Sequence, residues 1–294
     1  MRSSVLRRFV TAALVATTLS AATTAVAVDA APRAPRAPSS GVNDWSCRPS
    51  AAHPDPVVLL HGLGGNGPGH FLFLGPALAN AGFCVFHMTY GAPAWWLPVG
   101  GLRPIDESAR QLAGFIDDVR AATHTQEVDL VGHSEGGFQS LYIPKVLGFG
   151  PKVDSVVSLA PPTHGTNVSG LVTLADFLGI RPMVDFVVAT FGCQACSDLL
   201  PGGGAVRRLN DGPIAVAGVD YTVIASRADI LVTPTETSFV REPGVDNVYV
   251  QDTCPADPVG HIGMAFEQGV ADMITNALDP ASARPVRCSI GLPF

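Results

Sequence analysis

The chain carries little charge and almost no lysine. Only 15% of its residues are Asp, Glu, Lys or Arg, and acids outnumber bases to give a formal net charge of −7. Lys145 and Lys152 are the sole lysines. The arginines form no basic patch that could follow a phosphate backbone, which argues against nucleic-acid binding. The glycine-rich stretch at 62–67 lacks the lysine of a phosphate-binding loop and the spacing of a dinucleotide fingerprint, so a nucleotide reading of that loop fails. The N-terminal apolar stretch, Phe9 to Leu19, is short and rich in Ala and Thr, too weak for a membrane anchor. Cys193 and Cys196 have the spacing of a redox or zinc pair. No second pair has ligand spacing and the surroundings are not thioredoxin-like, so neither chemistry is expected.

What is present suits one large folded domain. Hydrophobic residues make up 47% of the 294 positions, enough for a generous core. Arg2, Arg7 and Arg8, the apolar stretch and the small residues through Ala27 read as a secretory signal over residues 1–27. Residues 28–44, rich in Ala, Pro, Arg and Ser, read as a disordered spacer before a domain over 45–294. Six cysteines in an exported chain imply three disulfides. Sequence alone leaves their pairing open, and neighbourhood suggests Cys47–Cys84, Cys193–Cys196 and Cys254–Cys288. A secreted, extracellular monomer is expected.

Within the domain, apolar runs alternate with amphipathic stretches. Strands are expected at 57–60, 83–87, 127–131, 153–159, 221–225 and 248–250. Helices are expected at 68–80, 105–122, 138–147 and 262–278. Ala109, Leu112, Phe115, Ile116 and Val119 recur at spacings of three and four, as one helix face requires. Alternating strands and helices predict an α/β fold with a mostly parallel sheet covered on both faces. Residues 163–215 break the rhythm. They contain Leu171-Val172-Thr173-Leu174, Phe177-Leu178 and Phe186-Val187-Val188 and are too long for a simple crossover. They read as a small inserted cap, or else as a core helix or two with a loop.

The most informative stretch is Val128-Asp-Leu-Val-Gly132-His133-Ser134-Glu135-Gly136-Gly137. The bare Gly-x-Ser-x-Gly pattern is weak evidence. Here a strand-like run enters it and a helical stretch leaves it, which is the context of a sharp turn that lifts a serine clear of a sheet. A serine needs a base, an orienting acid and oxyanion donors to act as a nucleophile. His261, in the glycine-flanked loop after the last strand, is the candidate base, with His164 its rival. His70 and His124 read as helix-start and surface positions. Asp229, just past the 221–225 strand, is the candidate acid, with Asp252 and Asp257 as alternatives. The backbone N–H groups of Leu63 and Glu135 are the candidate oxyanion donors. The order serine, acid, histidine along the chain distinguishes this arrangement from the other serine-triad orders.

Five segments together resemble secreted bacterial lipases and esterases of the α/β-hydrolase superfamily, the actinobacterial triacylglycerol lipases in particular. They are V-V-L-L-H-G-L-G-G, V-G-H-S-E-G-G, P-P-T-H-G-T, S-R-A-D-I-L-V-T-P and G-H-I-G. The resemblance implies a carboxylic ester substrate, an acyl-enzyme on Ser134 and no organic cofactor. Some related lipases hold a structural calcium, but no motif assigns metal ligands here. Glu135 departs from the Met or Gln found in many such lipases. An acidic side chain beside the nucleophile is expected to alter pH dependence or substrate charge preference.

The leading expectation is a lipase acting on lipophilic esters, at a lipid–water interface. The apolar insertion and Trp95-Trp96 favour it. A short-chain carboxylesterase, a polyester depolymerase or an acyltransferase would use the same residues. A non-catalytic binding protein on the same fold leaves a candidate for every catalytic role unexplained.

Overall fold

The computed structural model describes residues 41–167 and 176–294. The expected signal segment, residues 28–40 of the expected spacer and the run Leu171-Val172-Thr173-Leu174 lie outside the described residues. Residues 41–44, read from composition as the end of a spacer, lie against the sheet. Val42 bridges Val85, and the Asn43 side chain accepts from the His87 N–H at 2.8 Å.

Six strands form one sheet: β1 Val57–Leu60, β2 Val85–His87, β3 Val128–His133, β4 Val153–Leu159, β5 Asp220–Ala225 and β6 Val245–Tyr249. Their order is β2-β1-β3-β4-β5-β6, and every described pairing is parallel. A parallel sheet has to be covered on both faces, and side chains alternate accordingly. Val58, Leu60 and Leu130 enter one core with helices α3 (Ile105–Thr123) and α4 (Glu135–Val146). Val57, Leu59 and Val131 enter the other with α2 (Leu74–Ala81) and α9 (Gln268–Leu278). On α3, Ile105, Ala109, Leu112, Ile116 and Val119 are all buried, the face their spacing predicts.

Two expected helices are each divided. Residues 68–80 form α1 (Gly67–His70) and α2, separated by a turn. In one continuous helix Pro76 would clash with the Leu72 carbonyl. Restarting at Leu74 places Pro76 in a first turn, where its missing N–H costs nothing. Residues 262–278 form a 3₁₀ turn, Gly263–Phe266, and then α9. The break falls at Glu267, whose extended backbone and buried carboxylate cap α9 by accepting from the N–H groups of Gly269 and Val270.

The long insertion is two kinds of structure. Helices α5 (Arg181–Phe191), α6 (Gln194–Asp198) and α7 (Gly204–Leu209) lie within it. Ala195, Leu199, Ala205, Val206 and Leu209 are buried in the core that contains α3 and α4. Phe177, Leu178, Met183 and Phe186 are exposed instead. The second half is therefore largely core, and most of the outward-facing apolar side chains among the described residues of the insertion lie around α5, with Leu200 also exposed.

Disulfides join Cys47 to Cys84, Cys193 to Cys196 and Cys254 to Cys288. The first fastens the segment before β1 to the start of β2. The last fastens the C-terminal tail to the end of α8 (Val250–Thr253).

Candidate active site

Chain order along the sheet reverses at β1, which has β2 on one side and β3 on the other. Crevices outside the C-terminal strand ends at such reversals are where open α/β sheets bind ligands. The loops after β1, β3 and β5, together with the loop after α8, bring the sequence-predicted residues to this edge.

Ser134 follows β3 directly and precedes the first residue of α4. Its backbone has φ 57° and ψ −120°, a conformation that a residue with a side chain adopts only under constraint. The neighbouring glycines supply the constraint. A Cβ on Gly136 would overlap the Leu60 carbonyl, and one on Gly132 would overlap the Gly136 carbonyl. The strand-to-helix turn thus packs backbone against backbone on both sides of the serine. The Ser134 N–H is anchored to the Leu159 carbonyl at 2.8 Å. Its Oγ has no hydrogen-bond partner among the described residues.

His261 and Asp229 meet. The Asp229 Oδ2 lies 2.7 Å from His261 Nδ1, and both side chains are 2% exposed. The other Asp229 oxygen accepts from the N–H groups of Leu231 and Val232 at 2.7 and 3.0 Å, which locks the carboxylate plane. A carboxylate can only accept here, so the proton sits on Nδ1 and His261 Nε2 keeps its lone pair. The loop bearing His261 is backed by the C-terminal tail. Gly260 N–H donates to the Leu292 carbonyl and Gly263 N–H to the Phe294 carbonyl. Asp257 accepts from Val259 and Gly291, so it shapes the same loop rather than meeting the imidazole. Asp252 pairs with Arg227. His164 lies between Asn210 and the Phe239 carbonyl, away from His261.

The loop after β1 runs beside the serine. A Cβ on Gly62 would come within 3.1 Å of the Ser134 Cβ. Gly64 N–H donates to the Gly100 carbonyl and Gly100 N–H to the Gly65 carbonyl, which stiffens the loop against residues 98–100. The N–H groups of Leu63 and Glu135 have no acceptor among the described residues. Free amides beside a serine hydroxyl are the groups from which an oxyanion hole is built.

The Glu135 side chain corrects the expectation that it colours the substrate site. It is fully buried and turned inward, beneath Gly101 and Leu63. Neither carboxyl oxygen has a hydrogen-bond partner among the described residues. Burial holds its pKa well above the usual carboxylate range, with Asp198 adding to the shift and Gln139 opposing it. Burial thus favours the neutral acid, and a fully buried carboxyl does not face the site.

A second feature escaped sequence reasoning. His70 is neither at a helix start nor a surface residue. It ends α1, and its Nε2 lies 2.8 Å from His133 Nδ1. His133 Nε2 lies 2.8 Å from the His261 carbonyl oxygen. His61 stacks on Tyr90 and accepts from the Tyr90 N–H. Burial lowers all three: His61 to about 4, His70 to about 3 and His133 well below the usual range. The remaining signal in sequence was only the number of histidines near the two glycine motifs.

Exposed apolar side chains surround these loops. Trp95 is 95% exposed on the loop that leads to Pro98, whose carbonyl accepts from Asn66. Trp96 meets Phe191 of α5 edge-on. Phe177 meets Phe294 of the tail that backs the His261 loop, and Ile230 adjoins Asp229. Among the described residues no group of three or more His, Cys, Asp or Glu is placed to hold a metal ion. No described helix is long and apolar enough to cross a membrane.

Residues 55–190 match the family model of the alpha/beta hydrolase fold. Over 147 residues the chain is 30% identical to a triacylglycerol lipase of Pseudarthrobacter phenanthrenivorans, covering 46% of this chain and 42% of that one. It is also 30% identical to a triacylglycerol lipase of Burkholderia plantarii, covering 46% and 37%. The chain thus spans about two fifths of the length of the curated relatives it matches. Among solved structures, it is similar to lipase B of Aspergillus fumigatus, with TM-score 0.57 and 18% identity over 81% of this chain and 58% of that one. It is also similar to a serine hydrolase of Cycloclasticus zankles, with TM-score 0.50 and 15% identity over 78% and 92%. With the parallel sheet and the matched segment, these likenesses show that the chain has the α/β-hydrolase fold.

Proposed function

We propose that the protein is a secreted carboxylic ester hydrolase that cleaves esters of lipophilic acyl chains through an acyl-enzyme on Ser134. The observations that support the proposal are a serine held at φ 57° directly after His133, whose Nε2 lies 2.8 Å from the His261 carbonyl, and the commitment of the buried His261 Nδ1 to a carboxylate. His261 Nε2 takes the Ser134 proton as Oγ attacks the acyl carbonyl. Asp229 fixes the imidazole tautomer and stabilises the imidazolium. The amides of Leu63 and Glu135 hold the oxyanion. His261 then protonates the leaving alcohol, and water deacylates the serine by the same steps in reverse.

Preference for lipophilic acyl groups rests on the exposed apolar rim of Trp95, Trp96, Phe177, Met183 and Phe186. The residues around α5 serve as the cap over the sheet edge. Export through a cleaved segment over 1–27 accords with the three disulfides, which persist in oxidising compartments. The names of the two bacterial relatives support the ester chemistry.

The test is hydrolysis of p-nitrophenyl esters from acetate to palmitate by the mature protein and by Ser134→Ala. Activity that rises toward long chains and disappears in Ser134→Ala supports the proposal. A short-chain maximum makes the protein an esterase, and equal activity in Ser134→Ala removes the serine assignment.

A further inference from the structure

We infer that His70 is a positioning residue, which supports the tautomer of His133 and through it the backbone of His261, so that two hydrogen-bonded imidazoles link the oxyanion loop to the general base. The inference rests on the proposed role of His261.

The direction of the chain follows from hydrogen-bond chemistry. The His261 carbonyl can only accept, so His133 Nε2 carries a hydrogen and donates across 2.8 Å. His133 is fully buried and kept neutral, which leaves its Nδ1 as an acceptor. The 2.8 Å contact to His70 is then a bond in which His70 Nε2–H donates. A charged His133 would also stand against the imidazolium of the reaction, since the His133 and His261 ring centroids are 4.8 Å apart.

Without the His70 donor, only the His261 carbonyl selects the Nε2–H form, and His133 Nδ1 is left as an unpaired acceptor. The alternative tautomer turns a lone pair toward the His261 carbonyl, and the two repel. His70 is itself seated in the oxyanion loop: its Cε1 lies 3.4 Å from where a Cβ on Gly62 would stand, and its Nδ1 3.1 Å from a Cβ on Gly65. The glycines that free the amides therefore also make room for this ring. Loop, serine turn and base share one hydrogen-bonded line, although they come from residues 62–70, 133–134 and 261.

The experiment combines nitrogen NMR of the histidine side chains in the intact mature protein with ester kinetics. The wild type is expected to show His133 protonated on Nε2 only, with Nδ1 accepting a hydrogen bond. His70→Leu is expected to shift His133 toward a mixture of tautomers and to lower kcat about tenfold or more, with KM within about twofold. His70→Gln places an amide N–H near the former Nε2, so it is expected to restore both the tautomer and most of kcat. A wild-type His133 protonated on Nδ1 overturns the inference, and this readout needs no variant to fold. A His70→Leu protein with unaltered tautomer and kcat overturns it as well. Failure of the ester-hydrolase proposal is distinct: it shows as a wild type, or a Ser134→Ala protein, with the wrong activity while the nitrogen spectrum is as expected.

Discussion

Asp229 Oδ2 and His261 Nδ1 lie 2.7 Å apart in surroundings that leave each side chain 2% exposed. The carboxylate is held on its other side by the amides of Leu231 and Val232. The histidine is held through its own carbonyl by His133. Neither ring nor carboxylate can turn without breaking a buried bond, so His261 Nε2 has one direction to face.

Replacing Asp229 with Asn tests that constraint. The amide oxygen can still serve Leu231 and Val232, but an N–H donor then faces His261 Nδ1 and forces the other tautomer. We expect kcat on a preferred ester to fall by about 10³ to 10⁴ while KM changes little. Steady-state kinetics on a folded variant checks it.

Two glycines, one in the serine turn and one in α3, predict opposite signs. Gly136→Ala drives a Cβ into the Leu60 carbonyl and is expected to cost about 3 kcal/mol or more, or to leave no soluble protein. Gly114 lies exposed within α3 with nothing near its missing Cβ. Gly114→Ala is expected to stabilise by about 1 kcal/mol through helix propensity. Urea unfolding of both variants measures the contrast.

Glu135 makes stability fall as pH rises. Its folded-state pKa is raised, so the folded chain holds a proton that the unfolded chain releases above about pH 4.3. The loss grows from that pH upward to the folded-state value. Glu135→Gln removes it, and the melting temperature of the variant is expected to exceed wild type by more at pH 8 than at pH 5.

The buried histidines act at the other end of the scale. His61 and His70 are lowered to about 4 and about 3, against about 6.5 when unfolded. Their contribution is complete above pH 6.5 and is lost as pH falls toward those values, on the order of 3 kcal/mol for His61 alone. Because Glu135 acts in the opposite direction, the measure is a difference: the stability of wild type relative to His61→Asn is expected to fall as pH goes from 7 to 4.

How far the sequence speaks depends on how local the cause is. The serine turn was legible because its requirement is local: a strand, two glycines with no room for a Cβ, and a helix. The pairing of Asp229 with His261 was foreshadowed by position: Asp229 follows β5, and the loop after the last strand and α8 returns His261 to the same edge. The division of residues 68–80 was legible in principle from Pro76, whose ring cannot follow a full turn of helix. Glu135 was not. Whether the side chain after Ser134 faces outward or into the core depends on how the segment at Gly101 closes over it, and residue 101 is far away in sequence. The line from His70 to His261 was hidden for the same reason, since its bonds join positions 63 and 128 residues apart. The long insertion looked uniform because burying and presenting apolar side chains need the same composition. Only packing separates Leu199 and Leu209 from Phe177 and Phe186.

The most direct measurement is covalent trapping of the nucleophile. The mature protein is treated with an alkyl fluorophosphonate, and its intact mass and peptide map are read alongside residual esterase activity. The account predicts one adduct per chain, located on Ser134, forming in step with loss of activity and absent in Ser134→Ala. An active protein that takes up no adduct, or an adduct on another residue that tracks the loss of activity, contradicts it.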